Sequence, residues 1–306
     1  MHFLQTEAWQ NFQKDLGRTT FRQTGEGWEY MAVLERGTGN SRLYCPYGPY
    51  AESQKAFEAA LDSLISLGKQ KKVTFVRVEP TTVDFCAYLE PQKWHKVNYQ
   101  SLNPEHTSII DLSKSKQDII ASMSQPVRNI YRNYHKKGFT IKKSNDPQDI
   151  ETFLELMHQV SERTGMRPHS DSYFRAQASS LLPNKSATLW TAELDGLTIA
   201  SSLIYSDDKT RYYAHAAASS LPEHRKLNAP TALLAEAIID AKEHDFTSFD
   251  LYGITLKDKS QTNAWAGFTK FKRSFGGTDK SFCGTWELPI NKPAYHAYRL
   301  YQSLRR

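Results

Sequence analysis

Cysteine is scarce in this chain of 306 residues: Cys45, Cys86 and Cys283 are odd in number, far apart and without any CxxC spacing. The pattern speaks against a zinc site and against a disulfide framework, and it fits a reducing cytoplasm. Long apolar runs are missing too. The most apolar stretch, Ala229 to Ala241, falls short of the roughly 20 residues a spanning helix needs, and it carries Glu236 and Asp240. MHFLQTEAWQ, the opening segment, has no basic region followed by an apolar core, so no signal peptide is expected. No low-complexity linker breaks the chain, which predicts packed rather than tethered halves. One further absence is local: residues 119–145 contain no acidic side chain.

What is present is a globular composition with a surplus of rings and positive charge. Aromatic residues make up 12%, sixteen of them tyrosine, and the formal net charge is +6. A basic balance favours an anionic partner without separating nucleic acid, lipid head groups and sugar nucleotides. Hydrophobic periodicity predicts helices over 6–16, 51–68, 115–123, 126–138, 147–163, 170–182, 229–244 and 293–304. Strands are expected at 19–24, 28–36, 41–45 and 73–80, then at 107–113, 139–143, 187–194, 197–206, 210–217 and 247–251. A last one covers SFCGTWEL. Each half reads as a mixed α+β unit: a meandering sheet, one long helix, then another strand. Asn103-Pro104 is the expected seam.

Three places carry candidate chemistry. In AWAGFTKFKRSFGG, helical spacing puts Trp265, Phe268, Phe271 and Phe275 on one arc about 120° wide, with Lys272 inside it. Such a lysine snorkels to water, finds a partner, or stands in a dry cleft where its ammonium can stabilise developing negative charge. The strand VTFVRVEP delivers Glu79 to its C-terminal end, near the tyrosine-rich turn YCPYGPY. The third place is the acid-free segment. There Arg128, Arg132 and Lys136 recur at i, i+4, i+8, with Lys137, Lys142 and Lys143 following. Like charges at that spacing repel unless an anion meets them, so the stripe is expected to bind phosphate, as in tRNA or a head group. Arg163 and Arg167 flank a Gly/Pro loop that would suit a phosphate clamp.

Several motifs, running in family order across nearly the whole chain, resemble the Fem family of peptidoglycan interpeptide-bridge aminoacyltransferases (FemABX). They are FLQTEAWQNFQKDLG, TSIIDLSKSKQDIIASMSQPVRNIYRNYHKKG, the RTGMR and SYF segment, TRYYAHAAASS, DLYGI, and FTKFKRSFGG ahead of GTWELP. The resemblance implies an α+β chain of two tandem GNAT-like (N-acetyltransferase-type) domains, without the coiled-coil arm some members insert. Domain 1 would comprise residues 1–103 with 284–306, and domain 2 residues 104–283. The implied reaction moves an amino acid from aminoacyl-tRNA to the stem-peptide amine of a peptidoglycan precursor, lipid II or UDP-MurNAc-pentapeptide. It needs no metal or cofactor. The setting would be the cytoplasm, with peripheral contact at the inner membrane face.

Residue by residue, the family's Phe-Lys pair near the tRNA 3′ end matches Phe271 and Lys272. The first-domain acid that handles the acceptor's proton matches Glu79, a glutamate where some relatives have aspartate. The residues that contact the sugar-nucleotide part match Arg167 and Tyr173, with a gap longer by about two residues, and His215 stands where relatives have a further tyrosine. The carboxylate of Glu79 would then face the ammonium of Lys272. Three other readings stay open. An acyl-CoA-dependent N-acyltransferase of this fold would carry a glycine-rich pyrophosphate loop before the long second-half helix, where this chain reads LPEHRKLNAP. An aminoacyl-tRNA–protein transferase would accept a protein N-terminus. A non-catalytic binder of tRNA or lipid head groups would bind without turnover.

Overall fold

A computed structural model describes residues 1–98, 102–255 and 266–304. The chain divides into two compact units, Met1–Glu105 with Ser281–Arg306, and His106–Lys280. The first part of unit 1 runs α1 (Glu7–Asp15), β1 (Thr19–Gly25), β2 (Trp28–Gly37), β3 (Asn40–Cys45), β4 (Tyr50–Ala51), α2 (Gln54–Gln70), β5 (Phe75–Val78), α3 (Cys86–Leu89) and β6 (His95–Lys96). Unit 2 opens with β7 (His106–Asp111), α4 (Lys116–Ser122), α5 (Gln125–Asn133), β8 (Thr140–Ser144), α6 (Ile150–Thr164) and α7 (Asp171–Leu181). It continues with β9 (Ala187–Leu194), β10 (Leu197–Ser206), β11 (Thr210–Ala218), α8 (Pro222–Lys226), α9 (Ala229–Glu243), β12 (Ser248–Asp250), α10 (Ala266–Arg273) and β13 (Thr278–Ser281). The chain then returns to unit 1 with β14 (Trp286–Pro289) and α11 (Lys292–Leu304).

Each unit is built on one seven-stranded sheet. The orders are β1-β2-β3-β5-β14-β6, with β4 beside β2, and β13-β7-β12-β11-β10-β9-β8. The same device occurs in both. An antiparallel meander feeds a long helix, α2 or α9, and the strand after that helix pairs parallel to the last meander strand. Its other edge pairs antiparallel with a strand distant in sequence, β14 on β5 and β7 on β12. The tight reversal between β9 and β10 uses Asp195 and Gly196 at φ 50° and 80°, the left-handed pair that a two-residue hairpin demands.

Burial explains the compositions of the two long helices. Helix α9 is apolar over most of its circumference because it lies against β9, β10 and β11 on one side and α4 and α5 on the other. Leu233, Leu234, Ile238 and Ile239 are buried there, each contributing about 1.5–3 kcal/mol. Helix α2 covers sheet 1 with Phe57, Leu61, Leu64 and Leu67. Gly68 was expected to end it, yet the helix continues to Gln70. A Cβ at Gly68 would stand 2.8 Å from Val76 Cγ2, so this glycine permits close helix–strand approach instead of stopping the helix.

Two further expectations are corrected. SFCGTWEL is not one strand: β13 ends at Ser281 in sheet 2, and β14 starts at Trp286 in sheet 1. Residues 282–285 carry the chain from one sheet to the other, so neither ladder can be continuous. The cysteines also differ from the sequence reading, for Cys86 and Cys283 form a disulfide with Cα atoms 5.3 Å apart, while Cys45 is free and buried. Their separation of 197 residues hid the pairing. A buried ion pair fixes the returning segment. Arg77 and Glu287 are both fully buried, with Arg77 Nε donating to Glu287 Oε1 at 2.9 Å. Tyr295 donates to the other carboxylate oxygen at 2.9 Å, and Arg77 reaches the Tyr298 hydroxyl at 3.3 Å.

Candidate functional site

Unit 2 places its chemistry at the C-terminal end of β12. Strand β12 ends on Asp250, and the chain then follows β7, with Leu251 N–H donating to Ser108 O and Ile254 N–H to His106 O, both at 2.9 Å. This turns the carbonyl of Gly253 to where Lys272 of α10 can reach it, and Nζ donates there at 2.9 Å. Lys272 is 2% exposed. The Phe268 ring covers its ammonium with the centroid 4.1 Å away, and Tyr213 lies at 6.0 Å. Burial pulls the Lys272 pKa down from 10.5 to about 7, with the charge of Asp250 acting the other way. Asp250 is itself buried, which raises its pKa against the hydrogen bonds it accepts from Thr107 and from the Tyr252 N–H.

The predicted aromatic arc divides three ways. Phe275 is fully buried in the core and Phe271 packs partly against it, their ring centroids 5.1 Å apart. Phe268 is 44% exposed and serves as the lid over the ammonium. Trp265 lies outside the described residues. The glycines that follow have a steric reason, since Gly276 has φ +84° and a Cβ there would come within 2.5 Å of Ser122 O. That contact seats the end of α10 against α4.

Phe268 also lines a cavity of about 330 Å³, with Arg167, His169, Phe174, His215 and Met166 among its walls. Two of the three sequence-predicted substrate contacts, Arg167 and His215, therefore share one cavity with the lid of Lys272. Arg167 is exposed and, among the described residues, takes part in no ion pair. His215 is buried, and its Nε2 lies 2.9 Å from the Tyr205 hydroxyl. Burial, then the neighbouring His169, lowers its pKa to about 3, so at neutral pH it offers a hydrogen bond and no charge. Tyr173, the third, stacks on His169 with centroids 4.3 Å apart. Arg163 does not join a clamp with Arg167; its Nε donates to Ser220 Oγ at 3.1 Å.

Unit 1 holds Glu79 directly after β5, as expected, and buries it to 3% exposure. Tyr44 donates to Oε2 at 2.8 Å, Asn103 Nδ2 to the same oxygen at 2.7 Å, and Thr285 to Oε1 at 2.8 Å. Desolvation raises the Glu79 pKa, and these three donors oppose it. The carboxylate is thus held by a phenol, an amide and an alcohol, three donors that all point at it and fix its position. Sequence reading missed Tyr44, Asn103, Thr285, His169 and Asp250. Asp250 alone had a visible signal, for FDLYG ends a strand on an acid just as VRVEP does.

The basic segment is less uniform than its spacing. Arg128 donates to the backbone oxygens of Ala121 and Met123, and Lys137 to Leu227 O at 2.8 Å. Lys136 reaches Asn133 at 2.9 Å. On β8, successive side chains face opposite ways: Lys142 pairs with Glu193, while Lys143 pairs with Asp240 of α9. Arg132 is exposed and, among the described residues, without an ion pair. Among the described residues no three His, Cys, Asp or Glu side chains converge as metal ligands.

Comparison with known proteins bears on this geometry. A model of the FemAB family matches residues 92–195 and 184–303. A lipid II:glycine glycyltransferase of Staphylococcus epidermidis is 24% identical over 187 residues, which is 55% of this chain and 43% of that protein. The match thus spans less than half of the relative's length. The crystal structure of FemX superposes with a TM-score of 0.86 at 18% identity, covering 97% of this chain and 94% of that one. A tandem GNAT protein from the clavulanic acid biosynthesis pathway reaches 0.53 at 12% identity, over 87% of this chain and 81% of its own. The fold is accordingly that of two tandem GNAT-like units, and no coiled-coil arm interrupts the described residues.

Proposed function

This chain belongs to the FemAB family, and we propose that it transfers an amino acid from aminoacyl-tRNA to the stem-peptide amine of a peptidoglycan precursor. The observation that carries the reading is the buried Lys272 ammonium, lidded by Phe268 at the wall of a cavity that also carries Arg167 and His215. The relative that acts on lipid II supports the acceptor class. In the reaction the acceptor nitrogen attacks the ester carbonyl, a C–N bond forms, and the C–O bond to the tRNA ribose breaks. The proton lost by nitrogen ends on the departing ribose oxygen.

The geometry of each group supports a role in that reaction. An ammonium has three donors, and Gly253 O occupies one of those on Lys272. Once the half-exposed Phe268 ring swings aside, another can meet the tetrahedral oxyanion, in a site dry enough to make that bond strong. Phe271 supports this lid and supplies a ring for the terminal adenosine. Arg167 would pair with the anionic sugar-phosphate part of the precursor, with Tyr173 and His215 fixing its orientation. Glu79, its carboxylate oriented by Tyr44, Asn103 and Thr285 and its pKa raised by burial, is the proposed acceptor of the nucleophile's proton. The tRNA backbone is assigned to Arg128, Arg132, Lys136, Lys137, Lys142 and Lys143.

The acyl-CoA alternative has one observation against it. The segment before α9, where a glycine-rich loop would cradle pyrophosphate, contains no glycine and folds partly as helix α8. The decisive experiment offers the purified chain a panel of charged tRNAs with lipid II or UDP-MurNAc-pentapeptide and reads product mass. An adduct of one amino acid residue on the acceptor is the expected result. Acetylation from acetyl-CoA with no tRNA-dependent adduct would overturn the reading.

A further inference from the structure

Helix α11 carries two faces. Tyr295 and Tyr298 point into unit 1, where Phe75 packs against both. About 130° around the helix, Leu300, Tyr301 and Leu304 stand 63%, 52% and 78% exposed. They follow the i, i+1, i+4 pattern of a second apolar stripe. Two leucines this open on an anchored helix lie outside any core that unit 1 builds among its described residues, and the reaction proposed above makes no use of them.

The ground around this stripe is basic. Residues 288–306 contain no acid, and neither do 63–78 or 36–51. These three segments meet at Thr74. Its N–H donates to Ser41 O at 2.8 Å, its hydroxyl accepts from Ser41 N–H at 3.1 Å, and its carbonyl accepts from Ile290 and Asn291 N–H at 2.9 and 3.0 Å. One end of sheet 1 thereby gathers the exposed cations Arg36, Lys69, Lys72 and Lys292. Glu35, the acid beside them, is held by Arg42 at 2.5 Å. Next to α11 a groove of about 580 Å³ is lined by Arg36, Thr38, Asn40, Tyr298 and Tyr301. Exposed leucines and a tyrosine flanked by lysines and an arginine that form no ion pair among the described residues are complementary to one kind of surface, apolar beneath and negative on top.

We propose that α11 and the cation-rich end of sheet 1 form a docking surface for an anionic lipid bilayer, with Leu300, Tyr301 and Leu304 entering the acyl boundary. Neither signal suffices alone. A few apolar side chains give weak, reversible binding, and a basic patch adds roughly 1 kcal/mol per cation near an anionic surface. The inference uses none of the residues assigned to the transfer chemistry.

The test is co-sedimentation of the full chain with vesicles of phosphatidylcholine alone or mixed with about one third phosphatidylglycerol. Binding is expected to the mixed vesicles only, falling as salt rises. Leu300→Ser with Leu304→Ser should weaken it about tenfold or more, and Lys72→Glu with Lys292→Glu by about tenfold. Both pairs should keep the native circular dichroism and the wild-type rate toward a water-soluble acceptor. No binding to mixed vesicles, or binding that neither pair weakens, overturns the proposal. So does a dimer that the leucine pair dissolves while vesicles go unbound. If vesicles bind as expected and no acceptor is ever modified, the docking surface stands and the proposed reaction fails.

Discussion

The two units present a buried carboxylate in the same topological place, a glutamate in one and an aspartate in the other, and surround it differently. Glu79 follows the strand after α2, and Asp250 ends the strand after α9. Each is buried, each has a pKa raised by desolvation, and each is bonded by a threonine, Thr285 beside β14 and Thr107 on β7. In unit 2 an ammonium is buried nearby, and its own pKa reports the field of the acid. In unit 1 the direct hydrogen-bond partners are the neutral Tyr44, Asn103 and Thr285, and the cation whose charge reaches Glu79, Arg77, is itself paired with Glu287. A repeated fold thus holds a buried carboxylate in both copies, with a buried ammonium near it in one and a ring of neutral hydrogen-bond donors on it in the other. The difference teaches that a charge partner, and not the strand-end acid as such, sets apart the copy assigned to the oxyanion.

Lys272→Met breaks the comparison most sharply. Loss of an oxyanion donor should lower transfer about 100- to 1,000-fold, with binding of the precursor little changed. The same variant should be more stable than the parent. A lysine whose folded pKa sits near 7 against 10.5 when free binds fewer protons folded than unfolded, and so costs stability. That cost is complete below pH ~7 and vanishes as pH rises through 10.5. The gain in melting temperature should therefore be larger at about pH 6 than at about pH 10. Rates within a few-fold of the parent would return Lys272 to the role of a core lysine.

The two acids sharpen the contrast at smaller amplitude. Glu79→Gln should slow transfer about 100-fold if the glutamate takes the proton, and a rate close to the parent's would leave it a structural anchor for Tyr44, Asn103 and Thr285. Asp250→Asn should act through Lys272. Removing the charge that raises the lysine's pKa lets that pKa fall below about 7, so the descending limb of the pH–rate profile should move to lower pH with a loss of about tenfold at neutral pH. An unmoved limb would separate Asp250 from the chemistry.

Much of this was legible in the sequence because it rests on periodicity. The meanders, the long helices, Glu79 at a strand end and Lys272 among rings all follow from spacing alone. What escaped depends on pairs brought together from far away in the chain. Thr285 meets Glu79 across 206 positions and Arg77 meets Glu287 across 210, and no local pattern encodes either. The cysteines failed for the same reason. The basic segment shows another gap: spacing along the chain suggests one surface from 128 to 143, but the alternation of β8 sends Lys142 and Lys143 to opposite faces of the sheet. Gly68 misled because a glycine wanted for close approach looks like one that ends a helix.

The disulfide tests whether unit 1 needs its long-range tie. Cys86 begins α3, and Cys283 sits two residues before Thr285, whose hydroxyl holds Glu79. Replacing both cysteines with serine should cost about 2–4 kcal/mol of stability, read as a lower denaturant midpoint. Transfer should fall only a few-fold, since Cys283 N–H still donates to Pro80 O at 3.1 Å and keeps the segment in place. A larger loss of rate than of stability would mean that the bridge positions the glutamate directly.

The smallest effect separates the two faces of the basic segment. If tRNA phosphates meet the α5 stripe, Arg132→Glu should reduce affinity and make log Kd less steep in log salt by about one unit for the contact removed. Lys143→Glu should do much less, because Lys143 is already neutralised by Asp240, which also binds Arg211 at 2.6 Å. Lys142 has Glu193 as its partner and stands on the other face of β8. Its reversal, read by the same salt titration, then decides how far the tRNA track extends. A slope changed as much by Lys142→Glu as by Arg132→Glu carries the track from the helix onto the sheet. A slope changed only by Arg132→Glu confines it to α5, whose exposed face then carries the whole of the phosphate contact.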